Sequence, residues 1–476
     1  FFLNGEHIKL QGVSRHQDRE NMGNAITEKQ HAEDIKIILD VGANSVRLAH
    51  YQQNSYFYDL CDESGLLVWA EVPVISRFSP KRNENAEQQL VELIKQNYNH
   101  PSIFCWGIEN EITIAGSANK KLITFLKHMH KVARHLDPTR YTTCAQLTMC
   151  PVNSPLNHIT DIIGYNHYYG WYMGSCDEIN NWLDEWHREN PEGKLCLSEY
   201  GAEGITKYHS DSPVQGDYSE DYQAIYHEHY IKAINERDWL WGSYVWNMFD
   251  FGSASRNEGG VRGRNNKGLV TFDRKTKKDA FWLYKAYWSD KKFVHITGER
   301  YVNRPAGKST IKVYSNCPEV TLEVNGKTYT KKADRVFVFD DIDLKLGENV
   351  IKARGGKARP SHTITVNGIE KATDEYKMPA EYSSFVRNWF VATDGEGDPN
   401  KLSVEDSMGE VLNNGEVNKI IKNAAGDFAA KAVSSPLLKP IYPVKVKTMI
   451  KLAGKLGVDE KMLSLAGGFL QTIDKN

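Results

Sequence analysis

The sequence predicts an α/β fold: a (β/α)8 TIM barrel, then an all-β sandwich and a small helical C-terminal appendage. Three observations predict it. Between residues 7 and 290 short apolar strands alternate with helical stretches, the pattern of a parallel sheet with crossover helices. From residue 291 the helical period gives way to short alternating strands. Beyond residue 372 a polar stretch precedes renewed helical periodicity.

Eight strand candidates occupy 7–14, 45–51, 66–73, 103–111, 142–148, 161–168, 195–201 and 242–250. Eight such units imply a closed barrel. The alternative is a doubly wound open sheet, but no Gly-rich phosphate loop follows the first strand. One helix begins at Thr27, where Thr27-Glu28-Lys29-Gln30 forms a capping box, and its apolar stripe is Ala32, Ile35, Ile38 and Leu39. It stops before Gly42. Another runs over 83–97 with Leu90, Leu93 and Ile94 on one face, and Pro101 follows. The barrel is thus 1–290. Residues 291–371 read as an immunoglobulin-like β-sandwich, with strands at 309–314, 320–324, 327–330, 335–339 and 349–353. Asn325-Gly326 is a type I′ turn between two of them. Residues 372–476 read as a linker and helical extension, with helices near 402–424, 442–455 and 459–472.

Bulk properties exclude some partners. The 59 basic and 61 acidic residues nearly cancel, so no net field gathers nucleic acid. No apolar run reaches the about 20 residues that span a bilayer, so no membrane partner is expected. The seven cysteines are odd in number and form no CxxC; Cys105 and Cys196 lie in apolar strands and read as reduced thiols, so a cytoplasmic location is expected. The chain opens Phe1-Phe2-Leu3-Asn4-Gly5, which reads as a hairpin already inside a fold. Upstream residues, with any targeting signal, are therefore expected to be missing.

In a barrel enzyme the active site lies at the C-terminal strand ends. The polar residues there are Ser14, Arg15, His16, Asp18, Arg47, His50, Tyr51, Glu71, Asn110, Glu111, Asn166, His167, Tyr168, Glu199, Tyr200, Trp246, Asn247 and Asp250. Glu111 and Glu199 close strands 4 and 7, and a closed barrel turns both toward one space. Glycoside hydrolysis needs such a pair: one carboxylic acid protonates the leaving oxygen while the other carboxylate attacks the anomeric carbon. A gap of about 5–5.5 Å gives retention and about 6.5–9.5 Å gives inversion. Asn110 is placed to bond a substrate hydroxyl and Tyr168 to hold the nucleophile. Glu71 could serve by the same logic, with ion pairing in the barrel as its other reading. No GxSxG elbow offers a serine nucleophile. The HxH pairs His128/His130 and His227/His229 sit in helix-like segments, where i and i+2 diverge, so no metal site and no cofactor are expected.

Several segments taken together resemble glycoside hydrolase family 2. They are Gly12-Val13-Ser14-Arg15-His16-Gln17-Asp18, Asn44-Ser45-Val46-Arg47-Leu48-Ala49-His50-Tyr51, Trp106-Gly107-Ile108-Glu109-Asn110-Glu111, Asn166-His167-Tyr168-Tyr169-Gly170-Trp171-Tyr172, Ser198-Glu199-Tyr200-Gly201 and Val245-Trp246-Asn247. The resemblance implies Glu111 as acid/base and Glu199 as nucleophile. It places His16, Asp18, Arg47, His50, Asn110, Asn166, Tyr168 and Trp246 around the sugar. It also implies a jelly-roll and a further sandwich ahead of the barrel, both expected to be missing before Phe1. Glu109 departs from the glycine common before Asn-Glu; it either tunes Glu111 or points into the barrel wall.

For the sugar, Arg15-His16-Gln17-Asp18 and Arg47-Leu48-Ala49-His50-Tyr51-Gln52 look more like family β-galactosidases, so a terminal β-D-galactoside is the leading expectation. The alternative is a β-glucuronide. Asn265-Asn266-Lys267 matches the Asn-x-Lys triplet that binds a uronate in glucuronidases, against a bland reading of Lys267 as one cation in a basic loop. A second alternative is a non-catalytic carbohydrate-binding protein. The expected partner is a small-molecule or oligosaccharide β-glycoside, with a homo-oligomer as an open option.

Overall fold

The structure, a computed structural model, describes residues 1–114, 118–356, 360–379, 382, 401–404, 406–418, 436–449, 470, 473 and 475. Eight parallel strands form a closed barrel: β1 (Leu10–Ser14), β2 (Ser45–Leu48), β3 (Leu67–Glu71), β4 (Ile103–Asn110), β5 (Tyr141–Leu147), β6 (Ile162–Asn166), β7 (Leu195–Tyr200) and β8 (Gly242–Val245), with β8 hydrogen-bonded to β1. All eight expected strands are present, most of them shorter, because their last residues leave the sheet to form the barrel mouth. The helices are α1 (Glu28–Val41), α2 (Ser55–Ser64), α3 (Asn83–Asn97), α4 (Lys120–Leu136), α5 (Glu178–Glu189), α6 (Glu220–Asn235) and α7 (Asp279–Trp288). Between β5 and β6 a 3-10 turn, Pro155–His158, stands in place of a helix.

The capping box at Thr27 and Gln30 forms as read, and α1 ends at Gly42 with φ 92. A Cβ there would lie 2.6 Å from the Trp288 backbone, so this close crossing requires glycine. One expected core residue is misplaced. The buried stripe of α1 is His31, Asp34, Ile35, Ile38 and Val41, while Leu39 is 43% exposed. Leu39 follows Ile38 by one residue, about 100° around the helix, and so leaves the stripe. In α3 the buried apolar residues are Leu90, Leu93 and Ile94, as expected.

Inside the barrel, Trp69 and Tyr244 fill the axis below the mouth, edge to face with centroids 5.4 Å apart. Gly107 makes room for Trp69 and Glu71: a Cβ there would come within 2.5 Å of Trp69 Nε1 and 2.7 Å of Glu71 Cγ. The N-terminal hairpin closes the bottom, with Phe1 edge-on to Phe104.

After β8 an antiparallel hairpin, β9 (Phe251–Glu258) and β10 (Val261–Asn265), rises beside the mouth. The sandwich follows with β11 (Val294–Ile296), β12 (Asn303–Pro305), β13 (Gly307–Ser315), β14 (Glu319–Val324), β15 (Lys327–Lys332), β16 (Val336–Leu344), β17 (Gly347–Gly355) and β18 (Ser361–Ile369). One sheet runs β11-β13-β16 and the other β12-β18-β17-β14-β15. Val313, Phe337 and Ile342 of the first pack with Val320, Leu322 and Ile351 of the second in one core. Asn325 and Gly326 have φ of 50 and 84, as a type I′ turn requires. β11, β12 and β18 were not anticipated: two are three residues long, and the third follows Gly355, Gly356 and Pro360. In the extension α8 (Met408–Asn413) falls within the expected 402–424 helix. Of the helix expected at 442–455, residues 446–449 are helical and 450–455 lie outside the described residues, as does the helix expected at 459–472 apart from Leu470. All seven cysteines are free thiols, Cys105 and Cys196 buried. Among the described residues no helix is long and apolar enough to cross a membrane.

One buried carboxylate locks α1 to the barrel. Asp34 is fully buried and takes Arg15 at 2.8 Å, Arg19 at 2.8 Å and Arg274 at 3.1 Å. Burial alone would raise its pKa, but the guanidiniums outweigh burial and hold it below the usual value. Its stabilisation is therefore present above the carboxylate's unfolded pKa and lost as pH falls through the depressed one. Asp34→Ala should cost about 3–5 kcal/mol because the buried Arg15 and Arg274 lose their carboxylate, while Arg19 keeps Glu33. Urea denaturation at neutral pH checks this, and an unchanged midpoint refutes it.

Candidate active site

The strand ends converge on a cavity of about 480 Å³ lined by His16, His50, Asn110, Glu111, Tyr168, Tyr172, Glu199, Trp246, Arg256 and Asn265, with Ile75, Ser76 and Phe251 at the rim. A cavity of similar size, about 490 Å³, lies where barrel and sandwich meet. Several of its polar groups are already partnered: Asp221 takes His209, Lys312 takes Glu228 and Asp211 takes the Tyr301 hydroxyl. The chemistry-bearing groups are in the mouth.

Arg47 organises one side. It is fully buried, donates to Glu71 Oε1 at 2.6 Å, to Glu199 Oε1 at 2.7 Å and to Asn110 Oδ1 at 2.9 Å, and lies over the Trp69 ring. Glu71 is thus an ion-pairing residue of the barrel, its second oxygen 2.8 Å from His50 Nδ1. Tyr168 donates to Glu199 Oε2 at 2.7 Å. Both oxygens of Glu199 are therefore gripped by donors. Asn166 donates to Asn110 Oδ1 at 3.1 Å and accepts from Ser198. With its oxygen already bonded twice, Asn110 has its amide N–H left for a hydroxyl in the cavity.

Glu111 follows β4 with φ 49, its N–H on Ala145 O at 2.8 Å. Burial first, then the neighbouring Glu199, pushes its carboxyl up to about 8. A carboxylic acid protonated at neutral pH beside a carboxylate held by Arg47 and Tyr168 is the division of labour that acid-assisted displacement needs. Burial, with His50, Arg47 and Arg15 adding to it, pushes His16 down to about 3, so it is a neutral imidazole. Trp246 stacks on His50 with centroids 5.1 Å apart and offers a ring to the cavity.

Asp18 and Lys267 stand behind the lining. Asp18 accepts the Gly252 N–H at 2.7 Å and so holds the start of the hairpin. Lys267 is fully buried, 2.7 Å from the Tyr172 hydroxyl and 3.2 Å from Glu203. Here the structure adds residues that strand-end reasoning missed. Arg256 pairs with Glu203 at 2.7 Å and Glu258 at 2.8 Å and donates to the Tyr172 hydroxyl at 3.0 Å. Arg256 and Glu258 share one face of β9, a two-residue spacing visible in the sequence once 251–258 is known as a strand. Glu203 lies just past β7. Burial opposes ionisation of Glu203, but Lys267 and Arg256 hold it down to about 2; burial, with Glu203 nearby, pushes Glu258 up to about 8. Two cations then face one carboxylate.

What this end presents to the cavity is all donor. The Tyr172 oxygen accepts from Lys267 and Arg256, leaving its O–H to point outward. Asn265 Oδ1 accepts the Lys267 N–H at 3.0 Å, leaving its amide N–H. Donors with a surplus positive charge suit an anionic acceptor such as a carboxylate.

The HxH pairs separate: His128 meets Glu87 and His130 meets Thr142, while His227 meets Tyr284 and His229 meets Asp177. His295, Glu299 and His362 cluster between α7 and the sandwich. There the Ile296 N–H donates to His362 Nδ1 at 3.0 Å, which leaves Nε2 protonated and facing Glu299, a hydrogen bond rather than a ligand set.

Residues 1–293 match the family model described as glycosyl hydrolases family 2, TIM barrel domain. A β-glucuronidase of Bacteroides fragilis is 41% identical over 394 residues, covering 79% of this chain and 54% of that protein. Among solved structures, the FMN-binding β-glucuronidase of Facaelibacterium prausnitzii L2-6 is 49% identical with a TM-score of 0.77, covering 79% of this chain and 58% of that one. A putative β-galactosidase of Bacteroides fragilis is 37% identical with a TM-score of 0.73, covering 77% and 56%. The chain spans about half the length of the relatives it matches.

Tyr168→Phe removes one of the bonds to Glu199. A hydrogen bond to a charged group is worth about 1.5–3 kcal/mol, so turnover should fall about ten- to hundredfold in a variant that still folds. A variant as fast as the parent would show that this hydroxyl does not act on Glu199.

Proposed function

The chain belongs to glycoside hydrolase family 2, and from that premise we propose that it is the catalytic part of a retaining β-glycosidase acting on terminal β-D-glucuronides. Glu199 attacks the anomeric carbon while Glu111 gives its proton to the departing oxygen, which leaves as an alcohol. The glycosyl–Glu199 ester then yields to water, from which Glu111 takes a proton. Arg47 and Tyr168 orient Glu199, and the Asn110 amide meets a sugar hydroxyl. No metal or redox group enters these steps.

One observation carries the choice of sugar: the donor-only end built from Tyr172, Asn265 and Arg256, backed by Lys267. It stands in the cavity that holds Glu111 and Glu199, where a uronate carboxylate is attached to the far side of the ring. A galactose hydroxymethyl group gives these donors a neutral, weaker acceptor. The sequence alone favours galactoside over glucuronide; the buried cations, and relatives named β-glucuronidase, support the reverse order.

A panel of aryl β-glycosides with the full-length protein tests this reading. Glucuronide should be cleaved best, with retention. Faster galactoside turnover refutes the choice of sugar, inversion refutes the roles of the glutamates, and no turnover favours a binding protein. Lys267→Ala should lower kcat/KM for the glucuronide about ten- to hundredfold and for other glycosides far less.

The pH dependence is a separate check. Below about 8 Glu258 is neutral and the end carries two cations and one carboxylate. Above it Glu258 ionises and cancels the surplus charge. KM for the glucuronide should therefore rise above pH 8, and Glu258→Gln should remove the rise. A flat KM in the parent protein contradicts this charge count.

A further inference from the structure

The backbone that carries Glu111 is irregular. Gly107 of β4 faces Thr143 of β5 and Asn110 faces Ala145, so β4 holds one extra residue over this stretch, a bulge. Glu111 follows in the left-handed region at φ 49. Glu109 lies in the bulge and is 1% exposed. Its Oε2 accepts the Ile112 N–H at 3.1 Å, and its Oε1 accepts Gln146 Nε2 at 3.0 Å. Gln146 is fully buried on β5, next to Ala145, which takes the Glu111 N–H. The carboxyl thus spans the turn: one oxygen holds the residue after Glu111 and the other is tied to the neighbouring strand.

We propose that Glu109 is a positioning residue, whose carboxyl clamps the turn that aims Glu111 at the leaving oxygen. This rests on the reading of Glu111 as the acid/base. Burying a carboxyl is costly unless its hydrogen bonds, here with Ile112 and Gln146, offset the lost hydration, so packing alone is a poor account of it. Burial pushes Glu109 up to about 8. Near neutral pH it is therefore a neutral group and adds no charge beside Glu111.

A misaimed acid harms only the reactions that need it. In the full-length protein, kcat/KM is compared for a phenyl and a dinitrophenyl glycoside of the preferred sugar, the second having a leaving group that departs without a proton. Glu109→Ala should lower the phenyl value by about a hundredfold, the scale of general acid catalysis, and leave the dinitrophenyl value nearly unchanged. Glu109→Gln keeps an acceptor for Ile112 and should restore most of the phenyl activity. If the alanine variant does not fold, Gln146→Ala removes the anchor on β5 and should show the same selective loss. Equal losses on both substrates, or a glutamine variant as impaired as alanine, overturn the clamp alone. No turnover by the parent protein overturns the glycosidase reading and the clamp with it.

Discussion

Arg47 is wholly buried at the end of β2, its guanidinium over Trp69 and shared among Glu71, Glu199 and Asn110. Removing such a cation from water costs several kcal/mol unless close partners replace the lost hydration. Here they do, and the requirement propagates. Glu71 must lie inside the barrel, which needs the space left by Gly107. Trp69 must stand under the guanidinium. Asn110 must turn its oxygen toward Arg47, which exposes its amide to the cavity. One buried charge thereby sets the orientation of groups on β2, β3, β4 and β7 together.

The barrel was legible because its signals are local and periodic. Each strand is a short apolar run, and Thr27 and Gly42 mark the ends of α1 by capping chemistry that needs no tertiary contact. The strand-end rule then located Glu111, Glu199, Arg47, Asn110 and Tyr168, since barrel closure alone turns them toward one mouth. The rule gave the place and not the pairing. Glu71 and Glu199 look alike in the sequence, yet Glu71 holds Arg47 and His50 while Glu199 faces the cavity. Asp18 fits the same rule but bonds to the hairpin backbone instead.

The distal end was less legible because it is assembled from pieces with no shared period. Arg256 and Glu258 come from β9, Glu203 from the loop after β7, Tyr172 from the loop after β6 and Lys267 from beyond β10. In the sequence Lys267 is one of several basic residues near Arg262 and Arg264. What sets it apart is burial: a fully buried ammonium beside only one ionised carboxylate that it also shares with Arg256. That surplus is a three-dimensional property.

Taken together, the buried carboxyls of the mouth divide into those held by cations and those raised by burial, Glu258 being raised although Arg256 lies 2.8 Å away. Glu71 and Glu199 share Arg47; Glu203 shares Lys267 and Arg256; Glu109, Glu111 and Glu258 have their pKa values raised by burial. At the end that holds Glu111 one cation, Arg47, stands between two glutamates, Glu71 and Glu199; at the distal end two basic side chains, Lys267 and Arg256, face Glu203. Glycosidic cleavage passes through an oxocarbenium-like state that places positive charge at the anomeric carbon. A uronate places negative charge at the opposite side of the same ring. For the uronate proposed as substrate, reversing either end would repel one of these charges. Glu111 answers to the same layout: burial first and the neighbouring Glu199 second raise its carboxyl, and Arg47, already shared by Glu71 and Glu199, pulls the other way without outweighing them.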